Sequence, residues 1–163
     1  MSAARRARWR EPRVMIAWLL FAACAGAVLY LGSSDFSAAH THGILGPLIT
    51  WLFPDWTAND RYLLHLRVRK LAHSFEYGVL ALLAFHAVFV SLETLIARIT
   101  ALALLLVLSV AATDELRQTF LSTRTGSFGD VALDLLGAAI GLALAVLVRL
   151  HLDRRAARGA QAP

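Results

Sequence analysis

Charge is the first scarcity in this 163-residue chain: charged residues make up 17% of it, against roughly a quarter in soluble domains. Cysteine is nearly missing. Cys24 stands alone, which excludes an intramolecular disulfide and any multi-cysteine zinc or iron–sulfur centre. Alternation of period two, the mark of a membrane barrel, is absent, as are internal repeats. There is no glycine-rich phosphate loop, no nucleophile elbow and no His-Glu-x-x-His pair. What is present is apolar: 58% hydrophobic residues and a mean hydropathy of +0.62, gathered in long blocks. That distribution excludes a disordered chain, a disulfide scaffold and a coiled coil, and the length fits one domain. The net charge of +5 sits at the ends of the blocks, where a membrane places it, so no nucleic-acid partner is expected.

Four blocks have spanning character: Val14 to Leu31, Leu71 to Val90, Ile99 to Thr113 (extendable back to Thr94 if Arg98 snorkels) and Val131 to Val148. A hydrocarbon core of about 30 Å takes roughly 20 helical residues, and lipid admits only helices or closed barrels. The expected fold is therefore all-α, a bundle of four transmembrane helices. Residues 1–13 read as a basic amino-terminal segment, 14–150 as the membrane domain and 151–163 as a tail. Arginines set the orientation: the two ends and the short loop with Arg98 carry 10 of the 16 basic residues, while the opposite side carries 8 of the 11 acidic ones. Both termini are expected in the cytoplasm, with the bundle in a bacterial plasma membrane. Phe21-Ala22-Ala23-Cys24 also resembles a poor lipobox, but the uncharged run is longer than a signal-peptide core.

Gly32 to Lys70 forms the first outer loop. Its segment Gly43 to Phe53 is apolar, too short to cross, and expected to be broken by Pro47, so it reads as interfacial or re-entrant, with Trp51 and Trp56 at headgroup depth. Asp60 to Lys70 reads as a helix that runs into the second span. His40 and His42 give a weak metal signal, and the lone His65 and His86 read as interface or packing residues.

Ionisable groups gather at one end of the spans. Arg69, Lys70, His73, Glu76 and Tyr77 open the second; Asp114, Glu115 and Gln118 close the third, followed by Arg124; Asp130 and Asp134 open the fourth. Polar groups at membrane depth are costly and normally face the bundle interior. Lys70, His73 and Tyr77 share one helical stripe, and Asp130, Asp134, Gly137 and Gly141 share another. The pair Gly137-x-x-x-Gly141 offers a flat patch for close helix approach, which would carry the aspartates inward toward Lys70, His73 or Arg124. A structural ion-pair network is the competing reading of the same residues.

The ordered motifs Arg69-Lys70-x-x-His73-x-x-Glu76-Tyr77, Asp114-Glu115-x-x-Gln118-x-Phe120-x-x-x-Arg124 and Asp130-x-x-x-Asp134-x-x-Gly137-x-x-x-Gly141 resemble those of the VanZ-like family of small membrane proteins, named after a protein associated with teicoplanin resistance. The resemblance covers about residues 14 to 150. It implies a bacterial multi-pass membrane protein acting near cell-envelope metabolism, and supplies no reaction. The residues themselves suit a polar site on the outer face for an anionic lipid-linked or cell-wall-related ligand. Arg69, Lys70 and Arg124 would meet phosphate or carboxylate, with Tyr77 and Gln118 as further binding groups. His73, Glu76 and Glu115 are the candidate acid–base groups. Asp114, Asp130 and Asp134 would orient them or hold a divalent cation; cofactor and oligomeric state stay open. The alternative is a non-catalytic accessory protein, in membrane lipid like the first, whose polar network is structural.

Overall fold

The computed structural model describes residues 11–33, 38–119 and 128–160. These form five helices and, among the described residues, no strand: α1 (Pro12–Leu31), α2 (Ala38–Leu52), α3 (Ala58–Ser91), α4 (Ile96–Thr119) and α5 (Phe128–Gly159). Four of them, all but α2, are long and apolar enough to cross a membrane. The protein is thus an all-α, multi-pass membrane protein.

α1 begins at Pro12, a residue suited to the first helical turn because it lacks only an N–H that would be unpaired there. α3 begins at a cap: the Thr57 hydroxyl accepts from the Asp60 N–H at 3.2 Å and donates to the Asp60 carboxylate at 2.6 Å. From there α3 runs unbroken for 34 residues, about 51 Å. The loop-side helix expected from Asp60 and the second apolar block are therefore one rod, long enough to stand well clear of a bilayer core.

Two expectations change. Pro47 does not break α2, which is helical on both sides of it. Gly46 precedes the proline without a Cβ to clash with its ring, and α2 is supported from outside by packing on α3. That contact is partly polar: Thr41 Oγ1 and His65 Nε2 are hydrogen-bonded at 3.1 Å, His65 is fully buried, and the His42 and His65 rings lie 5.2 Å apart. The other face of α2 exposes Ile44, Leu48, Trp51 and Leu52. The second change is at the carboxyl end, where α5 continues past the apolar block to Gly159.

α3 is the central element and packs most extensively on α5, then on α1 and α4. The reason is steric. Gly137 lies against the backbone of Ser74, and Gly141 against that of Gly78, so the two helices meet without side chains between them. The core beside this crossing is built from Tyr77, Leu80, Ala81, Ala84, Ile99, Ala103, Val107 and Ala138. Half of these are alanine, as expected where lipid removes the hydrophobic drive and close contact must do the work.

Candidate functional site

The α3–α5 crossing fixes the end of the bundle opposite the chain termini. Ser74 Oγ donates to the Leu133 carbonyl at 2.8 Å, one residue before Asp134, so α5 is pinned to α3 where Asp134 enters. One turn along α3 from His73, Tyr77 is 2% exposed. Its phenol lies within electrostatic reach of Asp114, Asp134, Glu76 and Glu115. Tyr77 thus lies within electrostatic range of carboxylates on three helices.

Each carboxylate has a distinct setting. Glu76 stands 3.5 Å from the His73 ring, Oε2 to Nδ1, at the i, i+3 spacing that puts both on neighbouring strips of α3. Its Oε2 is buried with no hydrogen-bond partner among the described residues; Asp114 and Arg69 act on it through space. Asp114 is 4% exposed and lies against Gly32, where a Cβ would come within 2.9 Å of Oδ2. Glycine at the end of α1 therefore makes the space that the carboxylate occupies. Arg117 sits 3.7 Å from Asp114 and donates from Nη1 to the Leu29 carbonyl at 2.6 Å. One guanidinium so closes α1 onto α4 and screens a buried acid.

The residues read from the sequence divide in three. His73, Glu76, Tyr77, Asp114, Glu115 and Asp134 come together, with Arg69 at their margin, and Gly137 and Gly141 make the crossing that admits them. Lys70 is exposed on α3; neither it nor Asp134 is without a partner. Arg124 and the side chains of Gln118 and Asp130 lie outside the described residues. Four residues were not singled out: Ser74, Gly78, Arg117 and Gly32. Ser74-x-x-x-Gly78 was the available signal, a small-residue pair facing another. Arg117 was legible only as the i+3 partner of Asp114. Gly32 was legible only as the end of the first span, because Asp114, the neighbour it makes room for, is 82 positions away in sequence.

Chemically the arrangement can bind and exchange protons. The His73–Glu76 pair sets a carboxylate 3.5 Å from an imidazole, the two group types of acid–base chemistry, without a hydrogen bond between them. Beside it, Arg69 acts on Glu76 through space and Arg117 stands 3.7 Å from Asp114, so the cluster presents both signs. Among the described residues no three His, Cys, Asp or Glu side chains gather into a metal-binding group.

Residues 14–149 match the VanZ/LLP1 family, and the chain belongs to it. No curated protein and no solved structure matches the chain.

Proposed function

We propose, with that membership as the premise, that the protein binds the polar headgroup of an anionic lipid-linked or cell-envelope molecule from the outer leaflet of a bacterial plasma membrane. The buried Asp114 beside Arg117, with His73, Glu76 and buried Tyr77 at the same end of the bundle, is the observation that carries this reading. Groups of both signs held at the end of an apolar bundle cost free energy that packing alone would avoid. Arg69, Lys70 and Arg117 would face phosphate or carboxylate on the ligand, and the acids its hydroxyl or amine groups. His73 and Glu76 would supply acid–base chemistry if the ligand is transformed. The excess of arginine at the two chain ends and at Arg98 supports cytoplasmic termini, which puts the site on the outer face.

A structural reading has two observations in its favour: Ser74 to Leu133 and Arg117 to Leu29 are links between helices. The test is thermal unfolding of the detergent-purified protein against lipid-linked envelope precursors and divalent cations, beside His73→Ala and Asp134→Asn. A ligand at a hundredfold excess over Kd stabilises by about 2.7 kcal/mol. A shift in the parent that the variants lose supports the binding role. No shift with any candidate, together with variants that are themselves much less stable, supports the structural one.

A further inference from the structure

At the end of the bundle that bears the chain termini, α1, α3 and α4 enclose a half-open cavity of about 270 Å³, with Trp18, Ser91, Leu102, Leu105, Leu106 and Ser109 among its walls. Its polar groups are already engaged with the protein. Trp18 Nε1 donates to Ser91 Oγ at 2.9 Å, Ser91 donates to the Ala87 carbonyl at 2.6 Å, and Ser109 donates to the Leu105 carbonyl at 2.8 Å. An incoming molecule therefore finds an apolar wall, which selects for hydrocarbon and against a polar ligand.

One turn of α4 before this slot the chemistry is different. Arg98, Leu102, Leu105 and Ser109 follow one another at steps of 4, 3 and 4 and share one stripe of α4. Arg98 thus stands about 6 Å before Leu102 along the axis, and the slot from Leu102 to Ser109 runs for about 10 Å. Two other cations of this end are occupied: Arg13 pairs with Glu11, and Arg149 pairs with Asp153 while lying over the Phe89 ring. Arg98 is exposed, and among the described residues no ion pair or hydrogen bond engages its guanidinium. A cation that no described residue pairs with, one turn before a dry slot on the same helical stripe, matches the form of a phospholipid: phosphate first, then acyl chain.

We propose that this slot binds one anionic glycerophospholipid, its phosphate on Arg98 and one acyl chain against Trp18, Leu102 and Leu105. The site is separate from the carboxylate cluster at the other end and does not depend on what that cluster binds.

Trp18 makes the site readable. In a variant with Trp9, Trp51 and Trp56 changed to phenylalanine, Trp18 is the remaining tryptophan, and phospholipids with brominated acyl chains quench it on contact. The protein is reconstituted in vesicles containing brominated phosphatidylglycerol or brominated phosphatidylcholine at equal mole fraction. The anionic lipid is expected to associate roughly fivefold more strongly, the preference of one basic group near a membrane surface. Arg98→Gln is expected to bring that ratio to about one while both lipids still quench, and Arg98→Lys to keep the preference. The Arg98 side chain is exposed and makes no ion pair or hydrogen bond among the described residues, so the variants are expected to fold, as their helical circular dichroism would verify. Equal quenching by the two lipids in the parent, or a preference that survives Arg98→Gln, overturns the proposal.

Discussion

Alanine substitution at the helix-crossing glycines should produce a graded loss of stability that follows the space at each position. At Gly137 a Cβ would lie 2.7 Å from the Ser74 carbonyl carbon and 2.8 Å from its hydroxyl, and would run into the carbonyl oxygen. At Gly141 it would meet the Gly78 carbonyl oxygen and lie 3.0 Å from the carbonyl carbon. Carbon contacts settle at about 3.5–4.0 Å, so α5 must retreat by roughly 0.7 Å or more over the whole crossing. Overpacking costs about 1–3 kcal/mol, and the upper half of that range applies because the obstacle is backbone, which has no rotamer to change. Alanine recovers up to about 1 kcal/mol of helix propensity, leaving a net loss near 2 kcal/mol at Gly137 and Gly141. At Gly78 the nearest atom would be the Gly137 oxygen at 3.2 Å, and the loss should be smaller. At Gly26 nothing lies within 4 Å, and the change should be neutral or favourable. The assay is denaturant unfolding of the detergent-solubilised protein, read by circular dichroism. Gly137→Ala as stable as Gly26→Ala would refute the reasoning, because it would mean that α3 and α5 do not cross at these residues.

Two further outcomes follow from single contacts. Arg117→Ala should cost about 1.5–3 kcal/mol, since it removes a charged hydrogen bond to the Leu29 carbonyl and the cation beside buried Asp114; the double variant Arg117→Ala/Asp114→Asn, measured in the same unfolding experiment, should recover part of that loss. Thr41→Val should cost about 1–3 kcal/mol by leaving His65 Nε2 buried without its partner, and the effect should appear as faster amide exchange in α2 while the α3–α5 crossing stays protected.

The site was half legible in the sequence. His73, Glu76 and Tyr77 could be placed together because helical spacing alone puts them on adjoining strips, and Asp134 could be placed inward because Gly137 and Gly141 share its stripe. Which acid meets which cation was not legible. The partners expected for Asp130 and Asp134 were Lys70, His73 or Arg124; for Asp114 no partner was expected, and it pairs with Arg117, in space that Gly32 on another helix leaves open. Spacing reports a residue's direction on its own helix and carries no information on the rotation of the neighbour it faces.

By itself, the sequence determined the solvent, the number of spanning helices and the end at which polar groups collect. Each of these follows from local composition against a fixed membrane thickness, a comparison that needs no tertiary contact. The tertiary structure decided the rest: that α2 persists through Pro47 on the support of α3, that Ser74 and Gly78 complete the glycine seam, that Asp114 fits against Gly32 beside Arg117, and that α1, α3 and α4 enclose an apolar slot. All of these depend on how far and at what rotation helices distant in sequence approach one another. Where lipid removes the hydrophobic drive, that approach is decided by the shape of small residues and a few interhelical hydrogen bonds.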